Sequence, residues 1–164
     1  IVGVTVHRYN ARAHWRGSTG AGWEHYSRAH EVSAPPAEPT LTVTTGEAQG
    51  DPRQLNPEQL LLMAASTCQL LWFLHLASKA RIDVVEYRDE AEAEMHQDDK
   101  PVRITHITLR PTVVVRVPEG GEPPSEERIR HLCDLAHREC YIANSLTSAV
   151  KVEPRLQLAH AEAV

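Results

Sequence analysis

The sequence predicts an α+β fold, and three observations carry that prediction. From Leu60 to Ala80 the chain is apolar almost all round, with Gln59, Gln69, His75 and Lys79 as the main interruptions, as in a helix buried on most of its surface. Short segments on both sides of it alternate with a period of two, as half-buried strands do. The resulting order is several strands, one buried helix, a hairpin, two further helices and a last strand, which is an α+β arrangement.

The elements follow in chain order. Val2, Val4 and Val6 alternate with Gly3, Thr5 and His7, predicting a strand over residues 1–9. A second strand is expected over 11–15. Gly17, Gly20 and Gly22 then break the pattern, suggesting a hairpin that leads into 23–32. Pro35, Pro36 and Pro39 mark an exposed connection, and Leu41-Thr42-Val43-Thr44 reads as a short strand before a loop over 46–55. Asn56-Pro57 opens the long helix, with Asn56 as N-cap and Pro57 at the first helical position, where its missing N–H costs nothing. Glu58 falls in the first turn, where the helix dipole favours a carboxylate. Residues 84–95 alternate with an acidic outer face formed by Glu86, Glu90, Glu92 and Glu94. After turn residues at 97–101, a β-branched run over 102–117 completes a hairpin. A Gly- and Pro-rich loop follows, and Ser125 caps a helix in which Ile129, Leu132, Cys133, Ala136 and Cys140 recur at helical spacing. A short helix over 143–149 and a strand over 150–158 close the chain.

Composition limits the function classes. At 164 residues, 41% hydrophobic and 24% charged, the chain fits a single domain over 1–164, with 1–55 supplying N-terminal strands and a loop and 56–164 the rest. A net charge of -5, a pI near 6.1 and no Lys/Arg cluster argue against nucleic-acid binding. No run of eighteen residues is apolar without a polar interruption, and no basic-then-apolar N-terminus marks a signal peptide. A cytoplasmic location is the expectation. In that reducing compartment a disulfide among the three cysteines is catalytic or redox-sensing sooner than structural.

Cys68 is the candidate nucleophile. Along an ideal helix Glu58 and Cys68 lie about 80° apart around the axis and about 15 Å apart along it, so a loop returning over the helix could touch both. Trp72 and His75, at i+4 and i+7, share the cysteine's face; with Leu62, Met63 and Phe73 they suggest an apolar pocket wall. A free thiol with a pKa of about 8.5 is only about 3% thiolate at pH 7, and a guanidinium that lowers it by about two units raises the attacking form about 25-fold. Arg53, on the loop that feeds the helix, is the nearest candidate, paired with Glu58; Arg28 is the reserve. A thiolate that attacks a peroxide O–O bond becomes sulfenic acid, which a second thiol converts to a disulfide. Cys140 is the candidate resolving thiol, provided folding brings it to Cys68.

Other readings stand beside these. Cys133, seven residues before Cys140 on the same helical face, is expected in the core. Cys133, His137 and Cys140, at i, i+4 and i+7, could offer soft ligands to zinc, although the spacing is unlike the usual paired knuckles and no fourth ligand is evident. His75 could act as a base or sit half-buried and hydrogen-bonded.

The run from Asn56-Pro57-Glu58-Gln59-Leu60 to Ala65-Ser66-Thr67-Cys68, with Ala136-His137-Arg138-Glu139-Cys140, Ala143-Asn144-Ser145-Leu146 and an N-terminal Ala13-His14-Trp15-Arg16-Gly17, resembles the OsmC/Ohr family of thiol-dependent peroxidases across nearly the whole chain. The resemblance implies antiparallel sheets wrapped around long central helices in an intertwined homodimer. It implies reduction of organic hydroperoxides in oxidative and osmotic stress defence, with no metal or cofactor and with an external dithiol as reductant. Cys68 matches the family's peroxidatic cysteine, Cys140 its resolving cysteine and Glu58 the carboxylate that pairs with the catalytic arginine. Many members carry proline after the resolving cysteine, where this chain has Tyr141. The alternative function is a non-enzymatic ligand-binding or redox-sensing module of the same fold.

Overall fold

The computed structural model describes residues 3, 5–46 and 48–160. It divides into two compact units, Ile1–Leu60 and Leu61–Val164.

In the first unit, β1 (Arg12–His14), β2 (His30–Ser33) and β3 (Thr40–Val43) form an antiparallel sheet in the order β1-β2-β3, with Ala13 opposite Val32 and His30 opposite Val43. The strand expected over 1–9 is not present at residues 5–9, while residues 1, 2 and 4 lie outside the described ones. Alternating valines make a strand only where a surface takes one of their faces, and Val6 is 61% exposed. Less of 23–32 is strand than expected, because side chains hold its first half as a turn. Trp15 Nε1 donates to the Ser27 carbonyl at 2.7 Å, and the Arg28 guanidinium donates to the carbonyls of Tyr26 and Trp23. Further on, Thr44 N donates to the Leu55 carbonyl at 2.8 Å and closes the loop before the long helix.

That helix, α1 (Pro57–Lys79), starts as the sequence indicates. Gln59 N donates to Asn56 Oδ1 at 2.8 Å while Asn56 N donates to Gln59 Oε1 at 3.1 Å, a reciprocal capping box. Asn56→Ala removes one acceptor and leaves the Gln59 N–H without it. A loss of about 1 kcal/mol is expected, visible as a lower urea midpoint with an unchanged slope.

In the second unit the expected hairpin is long and breaks on both arms. Its strands are β4 (Val84–Asp89), β5 (Glu92–Met95), β6 (Ile104–Leu109) and β7 (Pro111–Val117); β5 pairs with β6 and β4 with β7. The breaks at Glu90-Ala91 and Arg110 face each other, so the ribbon serves two sheets. Asp89 fastens the corner by accepting from Arg110 N at 2.7 Å and from the Ser66 hydroxyl. The single final strand expected over 150–158 is likewise two, β8 (Ala149–Val152) and β9 (Arg155–His160), parallel to β6 and β7 respectively. Pro154, which cannot donate to a ladder, sits at the crossing. The sheets are ordered β4-β7-β9 and β5-β6-β8.

Two apolar clusters hold this unit together. Phe73 and Ala77 of α1 pack with Val113, Val115, Ile129, Leu132, Cys133 and Ala136, while Ala65 packs with Ile107 and Leu109. The buried residues of α1 are Ala65, Gln69, Phe73 and Ala77, one stripe at intervals of four. Within one copy the unit covers one face of α1, less than the sequence predicts, and Met63, Leu71 and Leu74 are exposed. By length and composition alone α1 could cross a membrane, but its buried stripe is part of the core just described. α2 (Glu126–Glu139) is capped by Ser125, whose hydroxyl accepts from Arg128 N at 3.1 Å. Cys140 leaves the helical conformation (φ -66°, ψ 110°), ends α2 and caps α3 (Tyr141–Asn144). The short helix thus comes earlier than the expected 143–149.

Candidate active site

Cys68 sits midway along α1, half-buried, and near enough to Cys140 to oppose the ionisation of its thiol. Cys140 is 1% exposed and its Sγ accepts from Ala143 N at 3.4 Å. Burial pushes the Cys140 thiol up to about 11, against the pull of the Ala143 N–H and with a further push from Cys68 beside it. The two expected partners are thus together, one reachable from solvent and one held as a neutral thiol.

Beside Cys68 lies a groove of about 310 Å3 lined by Cys68, Leu71, Trp72, His75 and Tyr141. The Trp72 ring meets His75 edge-on at 5.7 Å and Tyr141 edge-on at 5.5 Å. Trp72 takes its expected place. Phe73, Leu62 and Met63 do not: Phe73 is buried in the core, Leu62 packs with the Ile107 cluster, and Met63 is exposed outside the groove. Residues five away from Cys68 on a helix point about 140° from it, so only i+3, i+4 and i+7 could share its groove. That spacing alone identifies Leu71. His75 is exposed and meets Trp72 edge-on, not half-buried.

Cys133 is fully buried in the core, its backbone carbonyl accepting from Gln69 Nε2 at 3.0 Å. Burial, with a smaller push from Asp134, raises its thiol to about 12. It faces the core while Cys140 faces Cys68, and among the described residues no group of three or more His, Cys, Asp or Glu side chains is placed to hold a metal ion.

In the first unit, Glu58 occupies the first turn of α1 as expected. Gly46 approaches it closely enough that a Cβ there would stand 3.1 Å from Asn56 Nδ2 and 3.7 Å from Glu58 Oε2. The pairing expected for Arg53 is corrected: its bidentate partner is Asp51, at 3.0 and 2.9 Å, and not Glu58. Asp51 is two residues away on the same turn, so the pair closes at little entropic cost, and Arg53 holds the Asp51 carboxyl below its ordinary range. The Arg28 guanidinium lies 3.9 Å from the centre of the Tyr26 ring and is committed to local carbonyls. Among the described residues neither arginine is paired with Glu58.

A reachable thiol in an apolar groove, with a buried second thiol as its neighbour, can be oxidised to sulfenic acid and resolved as a disulfide. Comparison with known proteins places this chain in a family. Among curated proteins no sequence matches the chain. An OsmC-like protein of Vibrio cholerae, of unknown function, is similar in structure, with a TM-score of 0.80 and 26% identity over 91% of this chain and 99% of that one. The organic hydroperoxide resistance protein OhrB of Bacillus subtilis gives a TM-score of 0.63 at 18% identity, over 92% of this chain and 98% of that one. An organic hydroperoxide resistance protein of Legionella pneumophila gives 0.64 at 17%, over 94% and 99%. At such identities the last two speak for the fold, which is α+β and OsmC-like. The sequence profile of the family described as OsmC-like protein matches residues 49–155, well over half of the chain, and the chain belongs to that family.

Proposed function

We propose that this chain is a thiol-dependent peroxidase that reduces organic hydroperoxides. The observation that carries the reading is that the reachable Cys68 thiol, at an apolar groove, has the buried Cys140 thiol as its neighbour. Family membership and the hydroperoxide-resistance names of similar structures support it.

The Cys68 thiolate attacks the terminal oxygen of ROOH. The O–O bond breaks, an S–O bond forms, and RO⁻ leaves as ROH after taking a proton. Cys140 then attacks the Cys68 sulfenic acid, forming the S–S bond and releasing water. An external dithiol reduces the disulfide by exchange. An arginine holds the Cys68 thiolate; Arg53, on exchanging its Asp51 partner, is the proposed one and Arg28 the reserve, so Arg53→Ala is expected to slow the first oxidation more than Arg28→Ala. Two copies of the chain form the working protein, the exposed Met63, Leu71 and Leu74 stripe of α1 being covered by the second copy. The proposed setting is the reducing cytoplasm.

The test is consumption of cumene hydroperoxide and of hydrogen peroxide with a dithiol in excess, followed by peptide mass spectrometry. Many turnovers, faster with the organic peroxide and with a Cys68–Cys140 disulfide, are expected. A single stoichiometric oxidation would replace the enzyme with a redox-sensing module; indiscriminate slow oxidation of all three cysteines would remove both.

A further inference from the structure

The buried stripe of α1 holds one polar side chain. Gln69 is 0% exposed and lies between the two apolar clusters, with Ala65 in one and Phe73 and Ala77 in the other. Its Nε2 donates to the Cys133 carbonyl of α2 at 3.0 Å, while its Oε1, also buried, has no hydrogen-bonding partner among the described residues. A half-satisfied amide in a core lowers stability. α2 does not need the bond either, because a mid-helix carbonyl already accepts from the N–H four positions on. A methionine of similar length would fill the space and leave no orphaned oxygen. What the amide adds is direction, which apolar contact lacks.

The bond ties together the two helices that carry the thiols. Gln69 follows Cys68 by one residue, and Cys133 precedes Cys140 by seven, about two turns. Around it, Phe73 and Ala77 of α1 share a cluster with Ile129, Leu132 and Ala136 of α2, apolar side chains that oppose separation of the helices more than sliding. A disulfide closes only while its Cα atoms stand about 4.4 to 6.8 Å apart, so a slide of a few ångströms decides whether Cys140 reaches Cys68. Resting on the pairing of these thiols in the peroxidase reading above, we propose that Gln69 is a positioning residue for disulfide formation: its bond to the Cys133 carbonyl sets the register of α2 on α1 and so places Cys140 against Cys68. The amide takes no part in the proton or sulfur chemistry.

Equilibrium with glutathione reads this directly and needs no peroxide: the Cys68–Cys140 disulfide and two glutathione thiols exchange to the protein dithiol and one glutathione disulfide. Gln69→Met is expected to weaken the protein disulfide about tenfold, raising its reduction potential by about 30 mV, while the urea midpoint of the reduced protein does not fall. Cys133→Ala, which keeps the carbonyl, is expected to leave the potential where it is. Should Gln69→Met not fold, Gln69→Asn, whose amide stops one methylene short of the carbonyl, is read by the same potential. An unchanged potential in the Gln69 variant, or an equal shift in Cys133→Ala, overturns the proposal. So does a Gln69→Met shift matched by an equal loss of stability in the reduced protein. An unaltered protein that exchanges with glutathione but turns over no hydroperoxide fails the peroxidase reading alone, and the comparison of potentials still decides the role of Gln69. One that forms no Cys68–Cys140 disulfide fails both.

Discussion

Cys140→Ser is expected to stop peroxide turnover after one equivalent while leaving the first oxidation almost untouched. Cys140 is 1% exposed and burial holds its thiol at about 11, so near neutrality it is a poor competitor for peroxide. Its removal should change the rate of Cys68 oxidation less than about threefold, yet lower steady-state turnover by about a hundredfold or more, because the sulfenic acid loses its partner. Dimedone labelling and mass spectrometry should then find sulfenic acid at Cys68. The raised pKa also sets a pH dependence. Resolution requires the Cys140 thiolate, which burial keeps scarce near pH 7. Below that pKa the fraction grows about tenfold per pH unit. Disulfide formation, followed in a single turnover after peroxide is exhausted, should accelerate accordingly between pH 7 and pH 9. A rate independent of pH over that interval would mean that another group takes the Cys140 proton before the S–S bond forms.

Several of these features can be read in the sequence, for reasons that are local. The start of α1 is written in Asn56, Pro57 and Gln59, each acting within one turn. Ser125 announces α2 in the same way. The meeting of Cys68 and Cys140 was implied by the family resemblance and not by spacing, since two thiols 72 positions apart carry no local signal of contact. The sheet switches were hidden. Side chains go on alternating through a corner, so the period of two runs unbroken over 86–94 although the ribbon changes sheets near Ala91. Arg53 pairs with Asp51 and not with Glu58 because Asp51 is the nearer competitor, a comparison of loop closures that residue types alone do not rank. Phe73 has the chemistry of a pocket wall, but its angle on the helix sends it to the core.

The thiol with no part in this chemistry carries the second large effect. Cys133 ionises near 9.0 when unperturbed and near 12 in the folded protein, where burial opposes the thiolate. Below pH 9 both states keep the proton and the burial contributes in full. Between pH 9 and 12 the unfolded chain releases a proton that the folded chain retains, so stability falls as pH rises. The full shift of about three units corresponds to about 4 kcal/mol, of which about 2 kcal/mol is lost by pH 10.5. Cys133→Ala removes this dependence and costs about 1 kcal/mol through the lost sulfur contacts in a core that Phe73, Val113 and Ile129 otherwise fill. Two opposing terms of this size predict a crossing: the alanine variant is less stable by about 1 kcal/mol at pH 7 and more stable by about 1 kcal/mol at pH 10.5. Cys140 titrates in the same interval but is common to both proteins and drops out of the difference. Tyr87, whose hydroxyl is also pushed upward by burial, stays neutral throughout. Urea unfolding at the two pH values, with reductant present, measures the difference directly. An equal gap at both would show that Cys133 reaches water in the folded state and that the core around it is looser than the packing of α2 on α1 implies.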